Sequence, residues 1–159
     1  MAGTEDENTF TISLVCIRAF LASWDIPQTA VDPYTRGGNT GLAPIIAGDM
    51  HDIYAPGIRS VVTNPPYSRP AVDDIAQELI RAVRMARLEV AAILVRIGWD
   101  CARSRKNYWA PPFSASIRLQ FRPWWDQSRT SQPIHSYQWL IWDRRHRGEP
   151  VLIHVGADL

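Results

Sequence analysis

Residues 58–95 read IRSVVTNPPYSRPAVDDIAQELIRAVRMARLEVAAILV and contain the strongest secondary-structure signals of the chain. The first six residues are typical of a β-strand, which the two prolines after the asparagine bring to an end. A helix is predicted next, with Ser68 as its cap, Pro70 in its first turn and two aspartates near the positive end of the helix dipole. Residues 90–95 are an unbroken apolar run, typical of a parallel strand covered on both faces. Strand, helix and strand within 38 residues predict a right-handed βαβ unit.

The remaining elements are predicted on either side of this unit. Its helix has an apolar face made of residues spaced three and four apart, namely Val72, Ile75, Ala76, Leu79, Val83 and Ala86. Upstream, a buried helix capped by Thr11 is predicted at residues 12–24, and short strands at 29–31 and 43–47. Downstream, strands without intervening helices are predicted at 117–121, 137–142 and 151–155, the last two joined by the polar turn 143–149. This order favours an α/β fold whose mostly parallel sheet has an antiparallel C-terminal edge.

Length and composition exclude several classes of protein. The 159 residues correspond to one domain, which we place at residues 1–159. No apolar run approaches the roughly 20 residues of a membrane-spanning helix, and the acidic first ten residues exclude a secretory signal. We therefore expect a cytoplasmic protein without a membrane partner. Cys16 and Cys101 form no CxxC pair and the four histidines lack ligand spacing, so we also expect no metal.

The charge is distributed unevenly along the chain. Residues 1–80 carry a formal charge of −6 and residues 81–147 carry +9, although the whole chain has only +1. Of the 17 basic residues 16 are arginine, and six of the seven tryptophans lie between positions 99 and 142. Arginine mixed with aromatic residues suits a surface that binds phosphates and stacks on bases. A coding bias toward arginine combined with a tryptophan-rich core explains the same composition.

The motif with chemical meaning is Asn64-Pro65-Pro66-Tyr67, which follows a predicted strand and precedes a predicted helix. Ligand sites in open α/β sheets lie at the carboxyl ends of strands, where this tetrapeptide is placed. A similar tetrapeptide at residues 110–113, APPF, has no carboxamide and no strand before it, so we interpret it as a proline-rich loop. The position of the first tetrapeptide indicates a candidate site.

At this motif the chain resembles the adenine-N6 DNA methyltransferases, which carry [DN]PP[YF] at this point of a Rossmann-like fold and use S-adenosylmethionine. Residues 61–68 (VVTNPPYS), 122–125 (RPWW) and 136–155 (SYQWLIWDRRHRGEPVLIHV) are similar to the small, often phage-borne members. The resemblance covers roughly residues 28–155 and implies a bacterial or phage-encoded enzyme. It also implies methyl transfer to the amine of an adenine flipped out of DNA. The same motif serves enzymes that methylate protein glutamine amides or guanine amines in RNA, which leaves these acceptors open.

The chemistry of the reaction explains the residue types in the motif. The lone pair of an adenine amine is delocalised into the ring, so the amine is a poor nucleophile. The Asn64 amide oxygen and the Pro65 carbonyl would accept both N–H bonds and localise that lone pair for attack on a sulfonium methyl. Pro65 and Pro66 fix the backbone, and Tyr67 would stack on the flipped base. A rigid loop with a buried asparagine is the structural alternative.

The spacing of two acids suggests where the cofactor binds. Asp32 precedes Asn64 by 32 positions, too few for three strands with their helices, since one βαβ unit takes about 30 residues. The resemblance therefore makes Asp32 the acid after the second strand, which binds the cofactor ribose. Asp49 then follows the third strand and faces the adenine. Turn formation by Asp32 and helix capping by Asp49 are the alternatives.

The family's first strand and glycine-rich loop have no match in this sequence. The residues before the first predicted helix contain one glycine, Gly3, and no strand pattern. We therefore expect the first strand to be missing and S-adenosylmethionine to bind weakly. A second chain is a possible source of the missing strand and loop. The competing hypothesis is a cofactor-deficient remnant that binds nucleic acid and does not methylate.

The basic residues nearest the predicted cleft are Arg103, Arg105 and Lys106, which follow the strand at 90–95. We expect them to bind nucleic-acid phosphates. For the basic turn at residues 144–147 two interpretations stay open, a phosphate-binding turn and a solvated loop. The arginines of the central helix belong to its solvated face.

Overall fold

The structure is a computed structural model that describes residues 14–26, 30–34, 45–68, 70–124 and 133–158. In these ranges a seven-stranded sheet is accompanied by two α-helices and three short 3₁₀ segments. The helices are α1 (Leu14–Ser23) and α2 (Ala71–Arg84), and the 3₁₀ segments are Asp52–Tyr54, Trp99–Cys101 and Arg103–Trp109. The strands are β1 (Ala30–Asp32), β2 (Ile45–Ala47), β3 (Ser60–Thr63), β4 (Val90–Arg96), β5 (Phe113–Leu119), β6 (Tyr137–Asp143) and β7 (Val151–Val155).

The sheet is mostly parallel, with the strand order β2-β1-β3-β4-β6-β5-β7. Strand β6 alone runs against its neighbours, pairing antiparallel with both β4 and β5. The α/β class and the C-terminal position of the antiparallel pairs are confirmed, but the edge strand β7 pairs parallel with β5. The turn after β6 therefore does not form a hairpin. All seven residues of β6 are buried, so this strand takes an interior position and the more exposed β7 takes the edge.

The central βαβ unit is confirmed by the parallel pairing of β3 with β4, in which Ser60 lies opposite Val90. Residues 90–95 are buried, as expected for a strand covered on both faces. Two details differ from the predicted helix. Pro70 occupies the cap position, so Ser68 contributes only a backbone carbonyl, which accepts from the Val72 N–H at 3.2 Å. Ala86 lies beyond the helix end in a left-handed conformation (φ 60°) and is exposed.

Two apolar cores flank the sheet. On one face α1 packs against β5, β6 and β7, with the Phe20 and Trp139 rings 5.1 Å apart and the Trp139 indole N–H donating to the Cys16 carbonyl at 3.0 Å. On the other face α2 covers β3, β4 and Trp142 of β6. Trp139 and Trp142 are both fully buried, so two of the clustered tryptophans belong to the core.

The outer elements differ from their predicted bounds by a few residues. The helix at 12–24 and the strands at 29–31 and 43–47 appear as α1, β1 and β2, with residues 12, 13, 29, 43 and 44 outside the described ranges. The strand predicted at 117–121 appears as β5, which begins earlier, at Phe113, the last residue of the predicted proline-rich loop, and ends at Leu119. Within the part of the chain that the structure describes, no helix is both long and apolar enough to cross a membrane.

Candidate functional site

The candidate site lies where the carboxyl ends of three parallel strands meet. Asp32 ends β1, residues 48–49 follow β2, and Asn64 follows β3. Strand β1 lies between the other two and pairs parallel with each. From β1 the chain proceeds to β2 on one side, and from β3 it proceeds to β4 on the other. The direction of winding therefore reverses between β1 and β3, and ligands of open α/β sheets bind at such a point.

Asp32 lies at this reversal point and is 2% exposed. Its Oδ1 accepts from the Thr63 hydroxyl at 2.6 Å, a bond that links the ends of β1 and β3, and from the Tyr34 N–H at 3.1 Å. Burial raises the pKa of this carboxyl from 3.8 to about 6, although both hydrogen bonds oppose the rise. The bond to the amide two residues later is the turn-forming role left open by the sequence. Asp32 is therefore a buried acid at the expected position.

Residues 48–49 have mainly structural contacts. A Cβ on Gly48 would lie 2.7 Å from Val31 Cγ1 and 2.8 Å from Asp52 Oδ2, so only glycine fits between β1 and the following loop. Asp49 is exposed, and its Oδ1 accepts from the His51 N–H at 2.7 Å and the Asp52 N–H at 3.3 Å. Asp52 Oδ2 in turn accepts from the Asp49 N–H at 2.7 Å. This reciprocal arrangement is the capping role that the sequence left open for Asp49.

Asn64 and Tyr67 bond to each other. Asn64 is 5% exposed, and the Tyr67 hydroxyl donates to its Oδ1, with the Leu94 carbonyl as a second acceptor at 3.2 Å. The Tyr67 ring packs against Tyr137 of β6, with the ring centres 5.8 Å apart. Burial raises the pKa of Tyr67 well above its ordinary value. In this conformation Tyr67 contacts the core, so its predicted stacking on a base requires the ring to move.

Arg96, which sequence reasoning did not place in the site, lies beside this pair. It is the exposed last residue of β4, and its guanidinium carbon is 5.8 Å from the centre of the Tyr67 ring. Among the described residues, no hydrogen bond or ion pair engages its guanidinium. The sequence does contain a signal for the position of Arg96. It directly follows six apolar residues, and a charged residue there marks the carboxyl end of the strand.

The three predicted phosphate-binding residues have different environments. Arg103 and Lys106 are exposed, but Arg105 is 3% exposed and bonds to both carboxylate oxygens of Asp73, at 2.6 and 2.9 Å. Its guanidinium also donates to the Trp99 carbonyl and lies 4.2 Å from the centre of that ring. Three N–H groups of Arg105 are engaged in these bonds and its side chain is buried, so Arg105 anchors the segment after β4 to the start of α2 and does not present its guanidinium to a phosphate.

The basic turn after β6 is partly engaged. Arg145 binds Asp143 at 2.8 Å and Asp25 at 3.4 Å, while Asp143 also accepts from the Trp24 indole at 3.0 Å. These contacts join the end of α1 to the end of β6. Arg144 and Arg147 are exposed.

The residues at the site fit one half of S-adenosylmethionine. A buried carboxylate at the end of β1 suits the ribose hydroxyls, and Asp32 supplies it. The methionine half needs an amide-rich turn after a strand. Within the described ranges no glycine-rich turn follows a strand at this edge, and residues 35–44, which include Gly37, Gly38 and Gly41, lie outside those ranges. The described residues therefore do not provide a complete cofactor site.

Comparison with protein-family models gives no match, and comparison with curated proteins gives none either. Among the described residues, no group of three or more histidine, cysteine, aspartate and glutamate side chains is arranged to hold a metal ion.

Proposed function

We propose that this chain is a methyltransferase domain that presents Asn64 and the Pro65 carbonyl to the exocyclic amine of a nucleobase, adenine in DNA. The observation that supports this proposal is the position of the tetrapeptide. It connects a parallel strand to the start of α2, beside Asp32, at the point where the winding of the sheet reverses. S-adenosylmethionine would supply the methyl group. Guanine amines in RNA and glutamine amides in protein are the alternative acceptors.

The Tyr67–Asn64 bond is compatible with this proposal. A base amine entering the site would replace the Tyr67 hydroxyl as the donor to Asn64 Oδ1. Because one donor is exchanged for another, the net cost of releasing Tyr67 is on the order of 1 kcal/mol. The burial of Asn64 strengthens the new bond, since hydrogen bonds are stronger in a low dielectric.

The strand order also supports a Rossmann-like origin. A common doubly wound order is 3-2-1-4-5. The order β2-β1-β3-β4 corresponds to it if strand 1 is left out, because β1 then represents strand 2 and pairs directly with β3, which represents strand 4. On this interpretation Asp32 ends the second strand. The order β2-β1-β3-β4 also matches the other common doubly wound order, 2-1-3-4-5, with no strand left out.

Asn64→Ala tests the proposed activity. The substitution removes one of two acceptors, so we expect a loss of about 3 kcal/mol in transition-state stabilisation, roughly a hundredfold in rate. Transfer of a labelled methyl group from S-adenosylmethionine to duplex DNA, RNA and protein measures it and identifies the acceptor. Asn107→Ala is the matched control, because Asn107 is exposed on the segment beside α2. Full activity in Asn64→Ala would refute the assignment.

A second candidate is a nucleic-acid-binding domain that does not transfer methyl groups. The observation that favours it is the set of exposed basic side chains at the carboxyl end of β4. Arg96, Arg103 and Lys106 are exposed at or after the end of β4, on the side where a nucleic acid would approach Asn64. Binding through them would weaken steeply with salt, because counterions are released from the phosphates.

Calorimetry with S-adenosylmethionine separates the two candidates. If the methionine half has no site, the dissociation constant should be roughly millimolar, about −4 kcal/mol. Micromolar binding favours the methyltransferase and means that residues outside the described ranges, or a second chain, complete the site. Millimolar binding together with salt-dependent DNA binding favours the second candidate.

A further inference from the structure

Strand β7 forms an unprotected edge of the sheet. It pairs with β5 on one side, and within the described part of the chain no strand pairs with its other side. Val151 and Leu152 are 41% and 56% exposed. Soluble proteins usually protect such edges with charged residues, proline or a bulge. The five residues of β7, VLIHV, include neither proline nor an acid, lysine or arginine.

The backbone of β7 has a defined orientation at this edge. The Gln120 N–H donates to the Val155 carbonyl at 2.8 Å, and Leu119 lies opposite Val155. In a parallel pair a residue directs its N–H and C=O to the same side, and the side alternates along the strand. Val151, Ile153 and Val155 therefore bond toward β5. Leu152 and His154 direct their N–H and C=O groups outward, to the open edge.

We infer that a second copy of this chain adds to this edge, antiparallel, with a twofold axis at Ile153. In that register Leu152 of each copy lies opposite His154 of the other. Opposite residues that both face outward exchange two hydrogen bonds, so the two pairs form four. The strand is thus complementary to itself in backbone hydrogen bonding, and C2 symmetry closes the assembly without leaving a free β7 edge.

The neighbouring registers are less favourable. An axis at Leu152 places His154 opposite Pro150, which has no N–H to donate. An axis at His154 places Leu152 opposite Gly156, outside the strand. The axis at Ile153 overlaps all five residues. It also pairs Ile153 with its own counterpart and Val151 with Val155 on the α1 face, where pairs of β-branched residues stabilise sheets.

This dimer would leave the candidate sites accessible. Strand β3 is four positions from β7, about 19 Å at a spacing of about 4.8 Å per strand. Antiparallel pairing also points the carboxyl edges of the two sheets in opposite directions. Each Asn64 would therefore act on its own substrate, and this interface would not complete the cofactor site.

Disulfide trapping tests the register. In a Cys101→Ser background, which removes the exposed native thiol, Ile153→Cys places two cysteines on the axis. Cα atoms of such a pair are about 4.5 Å apart, within the range of a disulfide. We expect a covalent dimer on mild oxidation. Leu152→Cys is the matched control, because its counterpart lies two residues along the strand, beyond the roughly 7 Å limit.

Sedimentation velocity of the full chain tests the association. Because a five-residue strand pair is a small interface, we expect a dimer with a dissociation constant in the micromolar range, roughly 1–100 μM. Leu152→Pro removes an outward N–H and leaves the ladder to β5 intact, so it should weaken association at least about tenfold. If this variant does not fold, the Ile153→Cys disulfide decides.

Three results would overturn the inference. One is a monomer at all concentrations with no disulfide from Ile153→Cys. Another is a dimer that Leu152→Pro leaves unchanged. The third is slow hydrogen exchange of the Leu152 and His154 amides in a monomer, which would mean that a segment of the same chain covers the edge.

Discussion

Replacing Asp32 by asparagine should stabilise the protein at neutral pH. The carboxyl is buried, and its pKa is raised from 3.8 to about 6. At pH 7 the folded protein therefore holds a charged carboxylate in an apolar environment, with Thr63 and Tyr34 as partial compensation. Asparagine keeps the oxygen that accepts from Thr63 and removes the charge. The substitution thus isolates the cost of the buried charge.

The rise in pKa sets the magnitude. The folded state binds the Asp32 proton more tightly than the unfolded state, so this group contributes stability at low pH and loses it as the pH rises. The contribution is fully present below about pH 3.8 and is gone above about pH 6. At 1.36 kcal/mol per pH unit the difference is about 3 kcal/mol. Asp32→Asn should exceed the wild type by up to this amount at pH 7 and match it below about pH 4.

Urea unfolding followed by tryptophan fluorescence at several pH values between about 4 and 7 measures this difference. Asp49→Asn is the matched control, since Asp49 is an exposed carboxylate at the end of the neighbouring strand. It should not gain stability at pH 7, because an exposed carboxylate has no cost of burial to relieve. If Asp32→Asn loses as much stability as the wild type between about pH 4 and 6.5, or unfolds more easily at pH 7, the buried Asp32 carboxylate does not destabilise the folded protein.

Three further predictions follow from contacts in the structure. Gly48→Ala should lower the free energy of unfolding by about 1–3 kcal/mol, because there is no room for the added Cβ. Gly156→Ala is the control: the nearest atom to its added Cβ is 4.0 Å away, so the free energy of unfolding in the same urea assay should change by less than about 0.5 kcal/mol. Arg105→Met should lower the free energy of unfolding by about 1–3 kcal/mol, because the substitution breaks both bonds to Asp73 and the bond to the Trp99 carbonyl, and unchanged stability would contradict the anchoring role. Arg96→Ala should instead leave stability within about 0.5 kcal/mol and reduce the salt dependence of DNA binding by about one phosphate contact; an unchanged salt titration would exclude Arg96 from the interface.

The βαβ unit could be predicted because its signals are local. Its two strands, its helix and the motif between them lie within residues 58–95, and the buried run at 90–95 specifies its own environment. The position of β6 could not be predicted in the same way, because pairing with β4 and β5 joins residues far apart in sequence. The turn at 143–149 resembles a hairpin connection. In the structure β6 is buried along its whole length and lies in the interior of the sheet, and β5 separates it from β7.

Side-chain environments limited the prediction of the basic residues. Arg103, Arg105 and Lys106 are close in sequence, and the sequence alone predicts that all three are exposed and bind phosphates. In the structure the 3₁₀ segment directs the Arg105 side chain inward, where it bonds to Asp73 and packs on the Trp99 ring. A buried arginine requires both a carboxylate and a flat surface for its guanidinium. Here one of these comes from α2, a separate element, so the local sequence does not reveal it.

The motif at residues 64–67 was located correctly at a strand end, but its internal bond was not foreseen. A buried amide oxygen needs a donor, and in this conformation Tyr67, three residues away, provides it. An incoming amine would therefore replace the Tyr67 hydroxyl as the donor to the Asn64 amide oxygen, which already has a hydrogen bond. This exchange is nearly balanced, so it permits both candidate functions equally. The two functions differ in what binds at Asp32, where a buried carboxyl with a pKa of about 6 becomes charged near neutral pH. A ligand that donates hydrogen bonds to that carboxylate would offset its buried charge, and S-adenosylmethionine binding should then strengthen as the pH rises through 6.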